Sequence, residues 1–541
     1  MHSATIFGEN GSVLATRPFD TSLPVTAVQL KAAGERIRIR LEVPIRDLAG
    51  YFNPDLTGGP VTRLDWTIAF HGAAARNYPL LTFFNQGGEN RFTVFADNLV
   101  DDFSIRARMN QQNATYDVDF TFAVRKPYKP FAVHVDTKGG PWPDAVARAF
   151  KTLRPQGLPR FPEAAFEPVY CTWYAVHAAL TIDYLDANAK LAAELGCRTF
   201  IVDDGWCYED SKRVTPETLV DWYRDIGNWT VSEKKLPGFK KHIESAQALG
   251  LKYLLWVAPF ITGTRSEFAK SLKPEDWFNG RFGEYFDLRS RKHAEATLKK
   301  MDALVRDWGL DGLKVDFLDY EPALPEEPRG RETFDFVKRL AAIIRRRAGA
   351  DALIEFRQRY ATPQMLDFGT QFRAGDVPFD YLLNLSRVAT IRILLGNDVP
   401  VHADPLYWRE DEMDLTVARH MIASLAGVPM VSMDLAKLRP AHKAIVSNYL
   451  GFYREHLQTF AHGKWTVRFR GSLPAYVAVT RGKERIVILV DECRLPEAVG
   501  AFKGAVHVLN LTTCGIDAAS AFNAKGKPVQ GAIPPGGRGV L

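Results

Sequence analysis

The chain has 541 residues, with 69 basic against 63 acidic side chains, a formal net charge of +6, 46% hydrophobic and 24% charged residues. That length is too great for one hydrophobic core and predicts two or three domains. The composition is ordinary for a soluble protein, no apolar run is long enough for a bilayer, and the basic residues are dispersed, so neither a membrane nor a nucleic-acid partner is expected.

From the start to about Val133 short alternating runs recur, such as Arg36-Ile37-Arg38-Ile39-Arg40-Leu41-Glu42-Val43 and Tyr116-Asp117-Val118-Asp119-Phe120-Thr121-Phe122-Ala123-Val124. Period-2 alternation broken by Gly, Pro and Asn predicts an antiparallel β domain, sandwich-like, over residues 1–160 including a Gly/Pro-rich linker region. From Pro168 to about His456, β-rich apolar runs alternate with amphipathic stretches. The runs are Val169 to Trp173, Thr199 to Val202, Tyr253 to Val257, Gly312 to Phe317, Ala352 to Phe356, Gln371 to Arg373, Val399 to His402 and Val428 to Met433. Eight strands separated by helices predict a (β/α)8 TIM barrel over residues 161–460. The run Arg345-Arg346-Arg347 falls where a helix C-terminus favours cations. Beyond Gly463 the texture returns to β, as in Ile486-Val487-Ile488-Leu489-Val490, and predicts a C-terminal antiparallel β domain over residues 461–541. The fold class is thus multidomain α/β.

Five cysteines, Cys171, Cys197, Cys207, Cys493 and Cys514, include no close-spaced pair of the zinc or redox kind. The first residues lack a basic segment followed by an apolar one. Reduced thiols in a cytoplasmic protein are the expectation. There is no G-x-G-x-x-G turn and no H-E-x-x-H helix, so neither a nicotinamide cofactor nor a catalytic zinc is expected, and no cofactor or metal is assigned.

Carboxylates sit where a barrel collects its reacting groups, at the C-terminal strand ends. One set is Asp203-Asp204-Gly205-Trp206 and another is Lys314-Val315-Asp316-Phe317. Together with Asp225-Ile226-Gly227-Asn228-Trp229, Glu233-Lys234-Lys235-Leu236-Pro237 and Gly250-Leu251-Lys252-Tyr253-Leu254-Leu255-Trp256, in this order, they resemble the α-galactosidases of glycoside hydrolase family 36, in the clan that also holds family 27. The resemblance covers about residues 165 to 460.

The resemblance implies a retaining α-glycosidase, an α-galactosidase in the first place, acting on an oligosaccharide or other α-glycoside. Asp316 matches the family nucleophile, and Lys314, two residues earlier on the same strand face, can bind sugar hydroxyls and favour the ionised carboxylate. The acid/base aligns best with Asp376 in Arg373-Ala374-Gly375-Asp376-Val377-Pro378-Phe379-Asp380, where the family's usual Ser-Asp segment is replaced. Asp380 is the alternative, although Asp is a favoured helix cap. By the same resemblance Asp203 and Asp204 grip the 4- and 6-hydroxyls, or one of them fixes its loop. Trp173 and Trp256 form aromatic walls or core. Arg373 meets the 2-hydroxyl region, holds a carboxylate, or makes a structural ion pair.

One departure stands out. Where the family has a Cys and a glycine-rich loop that helps read carbon 2, this chain has Ile354-Glu355-Phe356-Arg357-Gln358-Arg359-Tyr360. Arg357, with Glu355 and Gln358, offers polar contacts there, structural roles being the alternative. His402 and Trp408 are placed at the rim or in the core. The sugar, its linkage and the oligomeric state stay open, including self-association into a homo-oligomer. The rival readings are a galactosyltransferase of the raffinose-synthase type, an α-glycosidase for another sugar such as an α-N-acetylgalactosaminidase, and a non-enzymatic carbohydrate-binding protein.

Overall fold

A computed structural model describes residues 2–55, 62–209, 222–273, 277–280, 283–287, 289–319, 325–471 and 473–541. Two six-stranded antiparallel sheets make up the N-terminal part. The alternation in Arg36–Pro44 does what its period requires: Ile37, Ile39, Leu41 and Val43 are buried while the residues between them face outward. The neighbouring strand Thr115–Ala123 lays Val118 opposite Leu41 and Phe120 opposite Ile39. Their side chains share one core with Leu81, Phe83, Phe92 and Val94 of the other sheet. This is a β-sandwich.

Eight parallel strands follow: β1 (Val169–Cys171), β2 (Thr199–Val202), β3 (Lys252–Val257), β4 (Gly312–Val315), β5 (Leu353–Arg357), β6 (Gln371–Arg373), β7 (Val401–His402) and β8 (Met430–Val431). Their order in the sheet is β7-β6-β5-β4-β3-β2-β1-β8. Parallel bridges from His402 to Val428 and from Leu406 to Val431 join its two ends into a TIM barrel. All eight sequence-predicted strands are present, each within a few residues of its expected place. Four of them, β1, β4, β7 and β8, are shorter than the apolar runs that announced them.

The helices pack outside the barrel with apolar stripes at helical spacing. In Gly330–Ala348 the buried positions include Thr333, Phe336, Val337, Leu340, Ala341 and Ile344. Its last turn carries Arg345, Arg346 and Arg347, the latter two bonded to Asp302 at 2.8 and 2.7 Å. Its first turn is capped from the sandwich: Asp102 Oδ2 accepts from the backbone N–H of Arg329 at 3.0 Å and of Gly330 at 2.7 Å. Nearby, Arg331 pairs with Asp101 at 2.6 Å and Arg125 with Glu332 at 2.5 Å. The sandwich and the barrel therefore meet through charge and backbone as well as through apolar side chains such as Tyr78 and Leu80, which share the barrel's core.

The C-terminal residues form a seven-stranded sheet. It is antiparallel except that Glu484–Leu489 and Ala505–Asn510 run parallel. A parallel pair needs a crossover, and the short helix Leu495–Val499 supplies it. Among the described residues no helix is long and apolar enough to cross a membrane.

Gly312 starts β4, and a Cβ there would lie 1.7 Å from the carbonyl oxygen of Leu353 on β5. Both atoms belong to barrel backbone, so neither can yield. Gly312→Ala is expected to cost about 3 kcal/mol or more, beyond the usual range for overpacking. A denaturant titration against wild type checks this; an unchanged midpoint would mean that β4 and β5 can separate.

Candidate active site

The cleft lies at the C-terminal ends of the barrel strands and is lined by Trp173, Asp203, Asp204, Trp256, Lys314, Asp316, Phe317, Arg373 and Asp376. It encloses about 310 Å³ of empty space, open to solvent. Trp173, Asp203, Asp204, Trp256, Lys314, Asp316, Arg373 and Asp376, all proposed from the sequence, line this cleft, and Arg357 lies against two of its carboxylates.

Asp316 follows β4 directly. Its N–H donates to the carbonyl of Val257 on β3, which fixes the turn at the strand end. Phe317 then takes a left-handed backbone, φ 57°, uncommon for a bulky residue. That turn brings the Phe317 N–H back onto Asp316 Oδ1 at 2.8 Å. Arg357 Nε lies 3.0 Å from the same oxygen, and the indole N–H of Trp256 donates to Oδ2 at 3.0 Å. A carboxylate held by three donors has a fixed plane. Trp256 is itself buried, so its described task is to orient Asp316, although it also lines the cleft.

Lys314 extends away from Asp316 and across to β2, where Nζ lies 2.5 Å from Asp203 Oδ2. Glu355 on β5 is 4.0 Å from the same ammonium. Burial works against the charge on Lys314, yet the attraction of Asp203 holds its pKa above that of an ordinary lysine. The cation beside Asp316 is therefore Arg357 rather than Lys314. The reason is register: Lys314 lies level with Trp256 and Glu355, one layer below the strand tips from which Asp316 and Arg357 project.

Asp203 is further held by the thiol of Cys171, 3.0 Å from Oδ2, and its N–H donates to the Thr172 hydroxyl. Asp204 Oδ1 accepts from the Gly205 N–H at 2.6 Å. Gly205 has φ 111°, and a Cβ there would fall 2.6 Å from the Cα of Ala178. Only glycine fits this turn. The other quoted motifs buttress it: Lys235 Nζ donates to the Gly205 carbonyl at 2.7 Å, and the Trp206 indole donates to the Trp256 carbonyl at 2.9 Å.

Arg373, at the end of β6, is buried among three carboxylates: Asp404 Oδ1 at 2.5 Å, Asp376 Oδ1 at 2.9 Å and Glu355 Oε1 at 3.3 Å. Of the roles open to it, holding carboxylates is the one its contacts describe. Asp376 has a half-exposed side chain and receives Arg373 and, at 3.9 Å, Arg357. Desolvation would raise its pKa, but these two guanidiniums hold it well below the usual carboxylate range. Asp380 lies farther along and caps the helix Tyr381–Leu395 by accepting from the Leu383 N–H at 2.9 Å.

Glu355 is wholly buried, and burial pushes its pKa up in spite of Lys314 and Arg373. Gln358 accepts the Gly375 N–H at 3.0 Å, and the Tyr360 hydroxyl donates to the Val315 carbonyl at 2.6 Å. The segment that departs from the family pattern thus touches the backbone immediately before each of the two candidate catalytic carboxylates. His402 is fully buried, with Nε2 2.7 Å from the Ala165 carbonyl, and Trp408 is buried beside His442, so neither faces this cleft.

Sequence reasoning passed over Asp404, two residues beyond β7. It is fully buried, bonds Arg373, accepts the Val377 N–H at 2.6 Å and takes the Tyr174 hydroxyl at 3.0 Å. Its place after a predicted strand was the signal available. Asp319, 3.4 Å from Arg357, was missed as well.

A fold of this kind, with paired carboxylates at the strand tips and a buried lysine one layer below, defines a TIM-barrel protein with a small polar site. Comparison with known proteins narrows it. A family model described as Melibiase matches residues 153–315. An Escherichia coli α-galactosidase is 34% identical over 168 residues, 29% of this chain and 22% of that protein. The α-galactosidase AgaA of Geobacillus stearothermophilus is 32% identical over 106 residues, 19% of this chain and 13% of that one. The matched segments therefore span about a fifth or less of these relatives. Among solved structures, a variant of AgaA in complex with raffinose aligns with TM-score 0.65 at 15% identity, covering 91% of this chain and 79% of that one. The Thermus thermophilus α-galactosidase TtGalA, bound to p-nitrophenyl α-D-galactopyranoside, aligns at 0.57 and 18%, over 88% and 95%. The fold is that of these proteins, and the resemblance to family 36 α-galactosidases read from the motifs is borne out.

Asp404 also has a consequence for stability. Burial pushes its pKa up to about 7, against the pull of Arg373. A folded-state pKa above the unfolded value means that the native state binds the extra proton, so this group's contribution falls as pH rises from about 4 to 7 and is level above. In Asp404→Asn that component should vanish, giving a flatter pH dependence and a lower stability overall, since Arg373 loses a buried partner. Urea midpoints at pH 5 and pH 7.5 for both proteins test this; parallel pH dependences would exclude Asp404 as the source.

Proposed function

We propose that the chain is a retaining α-glycosidase that hydrolyses terminal α-linked galactose by double displacement. The observation that carries this reading is the placing of Asp316 and Asp376 on one cleft, each in contact with the same guanidinium, that of Arg357. Retention calls for two carboxyl groups about 5 to 5.5 Å apart across the anomeric carbon, one to attack and one to move protons. In the first step Asp316 attacks C1, the C1–O bond to the leaving group breaks, and Asp376 gives its proton to the departing oxygen. In the second step Asp376 takes a proton from water, whose oxygen attacks C1 and releases Asp316.

Trp256, Phe317 N–H and Arg357 suit Asp316 to attack because they fix its carboxylate in plane beside the cleft. Asp376 must be protonated for the first step, and in the free protein Arg373 and Arg357 oppose that. A bound sugar that shields Asp376 from water would strengthen the desolvation that raises its pKa, so proton uptake accompanies substrate binding in this scheme. Asp203, Asp204 and Lys314 form the polar floor that suits the 4- and 6-hydroxyls, and Trp173, half-buried at the edge, suits the C–H face of the ring. The named relatives are α-galactosidases, one of them solved with raffinose, which supports galactose over other sugars and an oligosaccharide as substrate. The proposal takes residues 1–160, 161–460 and 461–541 as three domains, and a cytoplasmic setting in keeping with five free thiols.

A panel of aryl α-glycosides of galactose, N-acetylgalactosamine and glucose should show turnover of the galactoside, with melibiose giving free galactose rather than transfer products. Asp316→Asn should abolish this turnover, by on the order of 10⁴-fold or more. Asp316→Gly supplied with azide should yield the β-glycosyl azide. A folded Asp316→Asn protein with near wild-type rates would remove Asp316 from its role.

The proton donor is tested separately through the leaving group. A general acid matters most when the departing oxygen is basic. Asp376→Ala should therefore slow melibiose by about 10² to 10⁴-fold while sparing an activated aryl galactoside. Asp380→Ala should instead lower the stability by about 1 kcal/mol for a lost cap, seen as a lower melting midpoint, and leave the ratio of the two rates alone. The reverse pattern would move the role to Asp380.

A further inference from the structure

Far from the cleft, where the last barrel helices meet the C-terminal sheet, three metal-ligand side chains turn toward one point. His456 lies at the junction between helices Pro440–Glu455 and Leu457–His462. Glu484 begins the strand Glu484–Leu489, and His507 lies on its parallel neighbour Ala505–Asn510, opposite Ile486. Glu484 and Ile486 are two residues apart and share a face, which puts the His507 ring beside the Glu484 carboxylate.

Glu484 Oε1 is 2.8 Å from His456 Nδ1 and 3.6 Å from His507 Nε2. The three donor atoms all lie within 4.8 Å of one another. A tetrahedral zinc, 2.0–2.2 Å from its nitrogen and oxygen ligands, sets those ligands about 3.3 to 3.5 Å apart. The two separations from Glu484 Oε1, 2.8 and 3.6 Å, bracket that value, and the two imidazole nitrogens lie within 4.8 Å of each other.

The surroundings are those of a ligand set. Thr459 Oγ1 donates to Glu484 Oε2, which fixes the carboxylate and leaves Oε1 facing the imidazoles. Phe452 walls one side, its ring centroid 4.4 Å from that of His456 and 5.9 Å from that of His507. The three side chains are 10%, 28% and 17% exposed in chain order, enough for a solvent molecule as a further ligand.

An ion pair is a poorer use of the same three groups. One carboxylate oxygen faces two imidazoles whose centroids are 4.6 Å apart, so protonating both places like charges together. A single divalent cation meets all three at once. We propose that His456, Glu484 and His507 form a binding site for a divalent transition cation of the zinc class, held by two imidazoles and one carboxylate and stapling the C-terminal sheet to the barrel's last helices. Two nitrogens and one oxygen favour zinc, cobalt or nickel over calcium and magnesium.

The test uses the full chain stripped with a chelator and titrated calorimetrically with zinc chloride at pH 7.5. One saturating equivalent per chain is expected, weakened at least tenfold in both His507→Ala and Glu484→Gln, with zinc raising the melting midpoint of wild type alone. X-ray absorption of the zinc-loaded wild type should show the outer-shell scattering of two imidazoles, a readout that holds even if a variant fails to fold. No saturable binding up to millimolar zinc, equal affinity in both folded variants, or a first shell without imidazole would overturn the proposal.

Discussion

The interaction on which the site depends is the mutual neutralisation of buried charge at one end of the barrel. Lys314, Arg357 and Arg373 are each almost enclosed, and each is reached by carboxylates from neighbouring strand tips. An isolated charge in such a place would be untenable; a chain of alternating signs is not, because every partner offsets its neighbour's desolvation. The order runs Asp203–Lys314–Glu355–Arg373, with Asp404 and Asp376 on Arg373 and Asp316 and Asp319 on Arg357. Removing any one member unbalances the next.

This arrangement also sets the chemistry apart by residue. The same acidic side chain is strongly ionised when two guanidiniums reach it, as in Asp376, and is driven toward its neutral form when burial dominates, as in Asp404 and Glu355. Position on the barrel decides which of these holds. Asp376 keeps access to water and to a ligand, while Asp404 and Glu355 are enclosed.

Much of the architecture was legible in the sequence because it is written in short-range patterns. The alternation of Arg36 to Val43 gave a sandwich strand, and eight β-rich runs separated by amphipathic stretches gave the barrel in the right order. The motif Asp203-Asp204-Gly205-Trp206 could be placed at a strand tip, and its glycine proves to have a steric cause. Pairings across the barrel were not legible. Nothing in Lys314-Val315-Asp316 says that the lysine pairs with Asp203 and that an arginine from the next strand takes its place at Asp316, because that choice is made by strand register. Asp404 was passed over for a related reason: its importance comes from Arg373, Tyr174 and Val377, three segments remote in sequence or hidden in a turn. The parallel pair in the C-terminal sheet was equally invisible, since the period-2 pattern is the same for either strand direction.

The segment Gln358–Tyr360 is gripped from outside the barrel as well as from within it. The Asn77 N–H, in the sandwich, donates to the Arg359 carbonyl at 2.7 Å, and Arg359 lies 3.7 Å from Asp55 of the same domain. Its other face bears on Gly375 and Val315, the backbone flanking Asp376 and Asp316. The pocket's shape therefore belongs jointly to two domains, and a sandwich transplanted from a relative would bring its own version of this brace. Exchange of selectivity between such proteins would then require moving the brace and the braced loop together, so that the two segments form one inherited unit although about 280 residues of chain separate them.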